Sequence, residues 1–309
     1  MLRGRLDAAG WTVEEAPDGL EGLEQLRRFS AEGRGFSLII IDAYLPDIDG
    51  RLMLRGLRAM FSAVPIVLLV EGDDEADREL AAQLPPTICA AKTEIENGLL
   101  GELAKFGYPT TTLTTTPLPE RWPLVIYDAN MYLRLVNRAE AVAVFNRLKS
   151  VRNLLYLNAV RGDYDLIIRL KADNNEDLNR AIAEVQQEPG IDVVAMDRHE
   201  RPMLSPQVEE FILHYEEVAD PDREPYMQPT ETNAYLLIDI DRYQMERVFT
   251  SILLTEGVIS CHVAMGGAKL IVLMSGAVHP EVMGHVLRKL AVMGGIRRVR
   301  EATVINITE

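Results

Sequence analysis

The stretch from Leu38 to Gly50, LIIIDAYLPDIDG, decides the fold of the first part of the chain. Four apolar residues without polar alternation are typical of a strand that is covered on both faces, as in parallel sheets. Asp42 follows this run directly, and a Pro/Asp/Gly turn comes next. Because ligands of open α/β sheets bind beyond the carboxyl ends of such strands, Asp42 is the first candidate for a reactive group. The simpler alternative is a surface carboxylate in a turn.

Other segments in this part of the chain extend the pattern. They are Leu6 to Ala16, Asp18 to Leu23 and Pro65 to Val70. Together with the stretch that contains Asp42, these segments resemble the receiver domains of two-component response regulators, over residues 1–107. The resemblance implies an α/β receiver-like, flavodoxin-like fold. In it, Leu6 to Ala16 would form the first helix and second strand, Asp18 to Leu23 the second helix, and Pro65 to Val70 the fourth strand.

The resemblance also implies roles for two residues. Asp42 takes the place of the phosphoacceptor, and Lys92 that of the lysine that contacts the phosphoryl group. Val70, Cys89 and Thr93 stand where the family has a hydroxyl residue, a switch aromatic residue and a proline. Phosphoryl transfer depends on metal ions and cationic groups that neutralise the phosphoryl oxygens. We therefore expect a working or vestigial phosphoacceptor that is phosphorylated inefficiently.

The first strand of the family, which ends in two acidic residues that hold Mg²⁺, is missing from the sequence. In a flavodoxin-like sheet this strand lies inside the sheet, so its two neighbours would be roughly 9 to 10 Å apart. Either the reading frame starts upstream of Met1, which we favour, or the domain has rearranged. Mg²⁺ is expected as a cofactor only if the acidic residues exist in the full-length protein, and the given sequence predicts no metal site.

Length and composition limit the class of protein. The 309 residues correspond to two or three domains, and 48% hydrophobic residues are enough for ordinary cores. The formal net charge of −15 argues against nucleic acid as a partner, because nucleic-acid-binding proteins cluster Lys and Arg on one face. The two cysteines lack CxxC spacing, and the apolar stretches are far shorter than the roughly 20 residues that cross a bilayer. These features predict a cytoplasmic protein without membrane contact.

The second part of the chain contains an internal repeat. Residues 123–199 predict the order βαββαβ, and residues 232–309 predict the same order around Gly266-Gly267. Each unit spans about 75 residues, the size of an α+β ferredoxin-like domain. Such a sheet carries its helices on one face, so we expect the open faces of the two sheets to pack against each other, with Leu135 and Leu237 as candidates for this contact.

Two segments separate these domains. The Thr/Pro-rich segment 108–122 cannot hold a helix and predicts a linker. Residues 200–231 predict a connector in which Ser205 and Pro206 begin a helix with apolar residues at helical spacing. We expect this helix to pack on one of the repeated units and a charged linker to follow it. The predicted domains are therefore 1–107, 123–199 and 232–309.

The hairpin of the first repeated unit carries a second resemblance. Val160 to Arg169, VRGDYDLIIR, and the turn from Glu188 to Ile191 are similar to the ligand-binding domain of Lrp/AsnC regulators. The second unit keeps Gly266 but lacks the acidic residues. In that family the domains pair through their sheets, which implies a homo-oligomer formed through the ferredoxin-like sheets. The resemblance further implies an amino-acid-like effector bound by Gly162, Asp163, Tyr164 and Asp165. The alternative is a hairpin of ordinary turn residues.

No arrangement of residues in the sequence predicts catalysis. His279 and His285 are not spaced for one helix face, and the neighbours Cys261 and His262 point to opposite faces of a strand. Lrp/AsnC regulators carry an N-terminal helix-turn-helix, which this sequence lacks. We therefore predict neither an enzyme nor a DNA-binding protein.

The leading hypothesis is a signal-transduction protein of the two-component type. Its receiver-like input is coupled to a tandem Lrp/AsnC-like sensing or assembly module, and it acts through protein partners such as a sensor kinase. The alternative is a metabolite-handling enzyme or scaffold built on the ferredoxin-like pair. In that case the relict receiver serves only as a docking surface.

Overall fold

The computed structural model describes residues 2–72, 74–93, 125–218, 233–275 and 280–305. Its helices are α1 (Leu2–Ala8), α2 (Gly19–Ala31), α3 (Gly50–Met60), α4 (Glu75–Gln83), α5 (Ala141–Leu148), α6 (Asn175–Gln186), α7 (Pro206–Val218), α8 (Met245–Leu253) and α9 (Pro280–Val292). Its strands are β1 (Ile39–Asp42), β2 (Ile66–Val70), β3 (Thr87–Ala91), β4 (Asp128–Leu135), β5 (Leu154–Arg161), β6 (Leu166–Lys171), β7 (Ile191–Glu200), β8 (Ala234–Ile240), β9 (Val258–Ala264), β10 (Lys269–Met274) and β11 (Ile296–Ile305). No helix in these ranges is long and apolar enough to cross a membrane.

The chain divides into two compact units. The first comprises Met1–Arg121, Leu204–Pro221 and Leu254–Glu256, and the second comprises Trp122–Met203, Asp222–Leu253 and Gly257–Glu309. Each unit has its own sheet, parallel in the first and antiparallel in the second.

The first unit contains a parallel sheet of order β1-β2-β3. Every residue of β2 is buried, as its unbroken apolar sequence predicts. The helices begin at aspartate N-caps: Asp18 accepts a hydrogen bond from the backbone N–H of Glu21, and Asp49 accepts one from that of Arg51, both at 2.9 Å. This parallel α/β arrangement fits a receiver-like part of the chain.

The strand that the sequence predicts between Trp11 and Ala16 does not form. A strand needs a hydrogen-bonded neighbour, and among the described strands β1 pairs with β2 alone. Residues 11–16 line a groove together with β1 and do not pair with it. Leu6 and Trp11 instead pack with Val67 and Leu69 in one apolar cluster.

Helix α7 belongs to the first unit, although the sequence led us to expect it on one of the repeated units. It packs on α2 and α3. The ring of Phe211, which is 0% exposed, lies so close to Gly56 of α3 that a Cβ added there would be 2.5 Å from a ring carbon. The absence of a side chain at Gly56 is what lets α3 and α7 approach.

Gly56→Ala is expected to lower the free energy of unfolding of the first unit by about 1–3 kcal/mol, because the new methyl group overlaps the Phe211 ring. Gly4→Ala in α1 is the matched control. No atom lies within 4 Å of a Cβ built at Gly4, so that change should be neutral or stabilising. Hydrogen exchange of the α3 amides measures both variants. Equal protection in the two proteins would contradict the close packing of α7 on α3.

The second unit is a closed barrel of strand order β10-β8-β11-β5-β6-β4-β7-β9. Both repeats run βαββαβ as predicted, β4-α5-β5-β6-α6-β7 and β8-α8-β9-β10-α9-β11. The strands of each repeat form one antiparallel sheet. Short pairings of β11 with β5 and of β7 with β9 join the two sheets. The expectation that the open faces of the two sheets pack against each other is confirmed.

Alternate residues of each strand face the helices and the barrel interior. In β4, Met131 packs with residues of α5 and α6, whereas Tyr132 joins an interior cluster that includes Leu237 and residues of both repeats. Leu135 packs on the helix side, so only Leu237 lies at the contact between the sheets. These inner faces fill one barrel within the chain. The homo-oligomer expected through the sheets stays a prediction.

Candidate functional site

Asp42 lies at the carboxyl end of β1. Its Oδ2 is 2.9 Å from Nζ of Lys92, and its Oδ1 accepts a hydrogen bond of 3.0 Å from the backbone N–H of Tyr44. The same ammonium group donates to Oε1 of Glu71 at 2.5 Å. The structure thus brings together the two residues assigned from the sequence. It adds Glu71, which the sequence analysis missed although, like Asp42, it comes at the end of a buried strand.

Lys92 is the cation that pairs with both carboxylates of this strand-end site. Its hydrogen bonds to Asp42 and then Glu71 raise the pKa of Lys92. About a third of the Asp42 and Lys92 side chains is exposed, 34% and 30%, so solvent screens the pair. The ammonium group occupies the space between the two carboxylates where Mg²⁺ would have to bind, and the residues present therefore do not fit a magnesium site. Within the described ranges, no group of three or more His, Cys, Asp or Glu residues could hold a metal ion.

The turn after Asp42 is fixed by other hydrogen bonds. Asp47 accepts from the first backbone N–H groups of α2 at 2.8 and 2.9 Å. Gly50 lies so close to β1 that a Cβ added there would be 2.0 Å from the carbonyl oxygen of Asp42. Asp47 therefore has a structural role, and the carboxylate of this turn that faces Lys92 is that of Asp42.

The hairpin between β5 and β6 holds the residues assigned to an effector. The carboxylate of Asp165 accepts from the backbone N–H of Leu135 at 3.0 Å and from the guanidinium group of Arg138 at 2.9 Å. Tyr164 is buried, with its ring centroid 4.9 Å from that of Tyr132. These two side chains are already engaged within the chain.

Gly162 and Asp163 are the exposed residues of the hairpin. A Cβ added to Gly162 would be 2.8 Å from the carbonyl oxygen of Glu301, which explains a glycine here. Arg134 donates to the backbone carbonyl of Asp163 at 3.1 and 3.2 Å. Of the two aspartates expected to receive an ammonium group, Asp163 is exposed and Asp165 is paired. The effector assignment stays a prediction.

A group of polar residues in the barrel interior was missed by the sequence analysis. We call it the barrel cluster, and its members are Asp128, Asn130, Arg169, Asp197, His199, His262 and Lys269. All of them except the partly exposed His262 are at most 6% exposed. The signal was present in β4, where Asp128 and Asn130 alternate with apolar residues.

Two ion pairs balance the charge of the barrel cluster. Arg169 donates to the carboxylate of Asp128, and Lys269 donates to that of Asp197. Removing one partner of such a buried pair would leave an uncompensated charge in the interior. Burial by itself would raise the pKa of Asp128, but its contacts with His199 and Arg169 lower this pKa below the ordinary value. Asp128 is therefore a carboxylate at neutral pH.

Two stacked histidine rings complete the cluster. The centroids of His199 and His262 are 4.4 Å apart, with 13° between the ring planes. Nη1 of Arg169 lies 2.7 Å from Nε2 of His262, and because a guanidinium group can only donate, Nε2 accepts. Burial lowers the pKa of His199, and burial together with the charge of Arg169 lowers that of His262. Both rings are therefore neutral at neutral pH.

No family model matches the chain. Over 78 residues it is 36% identical to the uncharacterized transcriptional regulatory protein YkoG of Bacillus subtilis. The aligned residues make up 25% of this chain and 32% of YkoG. The chain is 33% identical over 84 residues to the alkaline phosphatase synthesis transcriptional regulatory protein PhoP of the same organism, 27% of this chain and 33% of that protein. The sensor protein EvgS of Escherichia coli is 28% identical over 92 residues, 30% of this chain and 7% of EvgS.

The chain thus spans about a third of the length of the regulatory proteins it matches. These similarities show a receiver-like region in the chain and support a signalling role. The Lrp/AsnC resemblance of the repeated units stays a prediction.

Two solved structures are also similar to the chain. The siroheme decarboxylase NirDL has 14% identity and a TM-score of 0.39, covering 77% of this chain and 88% of that chain. The putative chlorite dismutase TA0507 has 9% identity and a TM-score of 0.39, covering 58% of this chain and 94% of that chain. Both proteins are named as enzymes, so the prediction that this chain is not an enzyme does not stand. At these identities the likeness assigns no activity to the chain.

Proposed function

We propose that the chain is a regulatory protein of the two-component type, in which the receiver-like part takes its input from a protein partner. The double βαββαβ barrel acts in this proposal as the Lrp/AsnC-like sensing or assembly module. The observation that carries the proposal is the position of Lys92, 2.9 Å from Asp42 and 2.5 Å from Glu71 at the strand ends. This pair occupies the place where the receiver resemblance puts phosphoryl chemistry.

The ion pairs of Lys92 favour input by docking over input by phosphate. A phosphodonor would have to displace the ammonium group from Asp42 and bring a metal ion to a site where the described residues form no metal-binding group. Tyr44, two residues after Asp42, is 57% exposed, and the guanidinium group of Arg51 lies 4.9 Å from its ring centroid. Tyrosine and arginine side chains of this kind often anchor protein interfaces. Tyr44 is therefore the contact that we assign to the partner.

We infer that the partner is a sensor kinase, since the similar proteins include transcriptional regulatory proteins and a sensor protein. The test measures binding of the purified full chain to each purified sensor kinase of the source organism. At least one kinase should bind, and Tyr44→Ala should weaken that binding by about tenfold or more, the effect of losing an aromatic anchor. Tyr243→Ala is the control, because Tyr243 is 90% exposed but lies far from Asp42 in the sequence. If no kinase binds, or if both variants bind like the natural chain, the proposed input is wrong.

Little phosphate is expected on the chain after incubation with Mg²⁺ and acetyl phosphate, because Lys92 pairs with the Asp42 carboxylate and the described residues form no group that could hold the metal ion. Intact-mass spectrometry measures the modified fraction, with an established receiver domain as the positive control. Asp42→Asn is the matched negative control. Extensive labelling that this substitution abolishes would show that Asp42 is an active phosphoacceptor.

A further inference from the structure

The barrel cluster contains polar atoms that its ion pairs do not satisfy. Oδ1 of Asp128, both amide atoms of Asn130, Nε of Arg169 and the hydroxyl group of Ser260 have no hydrogen-bond partner among the described residues. Asn130 is 0% exposed and lies between its strand neighbours Arg169 and Asp197. Each buried polar atom without a partner costs about 1–3 kcal/mol. A polar molecule held beside Asn130 would remove this cost.

We propose that the barrel interior beside Asn130 is a binding site for one small, uncharged molecule with a primary carboxamide group. Asn130 offers an unpaired acceptor and an unpaired donor on the same amide edge, which a second amide matches with two reciprocal hydrogen bonds. Oδ1 of Asp128 accepts the other N–H of the ligand, and Nε of Arg169 donates to its carbonyl oxygen. Each of these four atoms lacks a hydrogen-bond partner among the described residues.

The charge balance of the cluster argues for an uncharged ligand. Asp128 is neutralised by Arg169, Asp197 is neutralised by Lys269, and both histidines are neutral. An ion bound among them would lose its hydration without gaining an unpaired counter-charge, at a cost of several kcal/mol. A carboxylate or an ammonium compound is therefore disfavoured relative to its amide counterpart.

The barrel also limits the size of the ligand and offers a route to it. Barrels of about eight strands have an interior that side chains fill or that holds one small ligand. Here Tyr132, Tyr156 and Ile167 already fill part of it. His262 and Ser260 on β9 are partly exposed, and β7 pairs with β9 through only two residue pairs. This short pairing is the place where the barrel opens most easily to admit a ligand in the proposal.

Acetamide is the probe for this site. A ligand of four heavy atoms gains at most about 1.5 kcal/mol per atom, so binding no tighter than the micromolar range is expected. Nuclear magnetic resonance of the side-chain amide of Asn130 in the full chain should show a saturable shift with acetamide. Acetate, which has the same number of heavy atoms but carries a charge, and the smaller cation methylammonium should produce no such shift.

Asn130→Leu should weaken acetamide binding by about tenfold or more, since two hydrogen bonds of roughly 1 kcal/mol each are lost. It should also raise the Tm of the ligand-free chain, because it removes buried polar atoms without partners. Asn158→Leu is the matched control: the Asn158 amide already donates to the Tyr235 hydroxyl at 2.6 Å, so acetamide binding should be unchanged.

Three results would each overturn the proposal. They are the lack of a saturable shift with acetamide, equal binding of acetate, and a lower Tm for ligand-free Asn130→Leu, which would mean that ordered water satisfies the amide. The comparison of acetamide with acetate uses the natural chain and does not depend on the variant. If acetamide does not bind, the kinase proposal is unaffected, because that proposal is tested separately by kinase binding of Tyr44→Ala in the first unit.

Discussion

Arg169→Leu is expected to lower the free energy of unfolding of the barrel by about 3–5 kcal/mol, the usual loss when one partner of a buried ion pair is removed. The carboxylate of Asp128, 3% exposed, would be left in the interior without its cation. His262 would also lose the N–H that it accepts at 2.7 Å. Urea unfolding followed by the near-ultraviolet signal of the barrel tyrosines measures the loss.

Two further variants isolate the buried charge as the cause. Combining Arg169→Leu with Asp128→Leu should recover most of the loss, because apolar residues of similar volume often replace a buried pair without cost. Arg180→Leu is the exposed control. Arg180 pairs with Glu176 at 3.0 Å but is 53% exposed, so its removal should cost no more than about 0.5 kcal/mol. A large loss in Arg180→Leu, or no recovery in the double variant, would contradict this explanation.

Acid is expected to destabilise the barrel below about pH 6.5, by up to roughly 1.4 kcal/mol per pH unit for each of the two stacked histidines. The pKa values of His199 and His262 are lowered in the folded chain, so the unfolded chain takes up these protons first. The stability that the neutral rings contribute is thus present above the unfolded pKa and is lost as the pH falls towards the folded values. Asp128, whose pKa is also lowered, adds to the loss at lower pH.

Urea titrations of the barrel between about pH 7 and pH 5 test this sign and slope. His199→Gln removes one of the two ionisations and should reduce the slope by about half. If stability rises on acidification, or if His199→Gln leaves the slope unchanged, the histidines are not buried in the neutral form.

In the first unit, local sequence patterns predicted some elements correctly and others wrongly. The apolar run before Asp42 correctly predicted a parallel strand, because this signal depends on neighbouring residues only, but only Ile41 of that strand is buried. The strand expected after Trp11 failed because strand formation depends on a partner elsewhere in the sheet. The position of α7 could not be predicted either, since its apolar face is compatible with several surfaces.

The candidate sites likewise depend on contacts between segments that are distant in the sequence. The family resemblance assigned Asp42 and Lys92 to one site at the strand ends. Glu71 was identified as part of this site only from the structure, in which its carboxylate pairs with Lys92. Asp165 looked free to bind a ligand, but the fold pairs it with Arg138.

By itself, the sequence determined the parallel α/β character of the first unit and the repeated βαββαβ order, because periodicity and turn residues encode single elements. Only the tertiary structure decided that the two repeats close into one barrel and that His199 of one repeat stacks on His262 of the other. The physical reason is that a buried polar residue acquires its partners from strands distant in sequence. Its pairing, its charge state and its unsatisfied atoms therefore exist only once the sheets have packed.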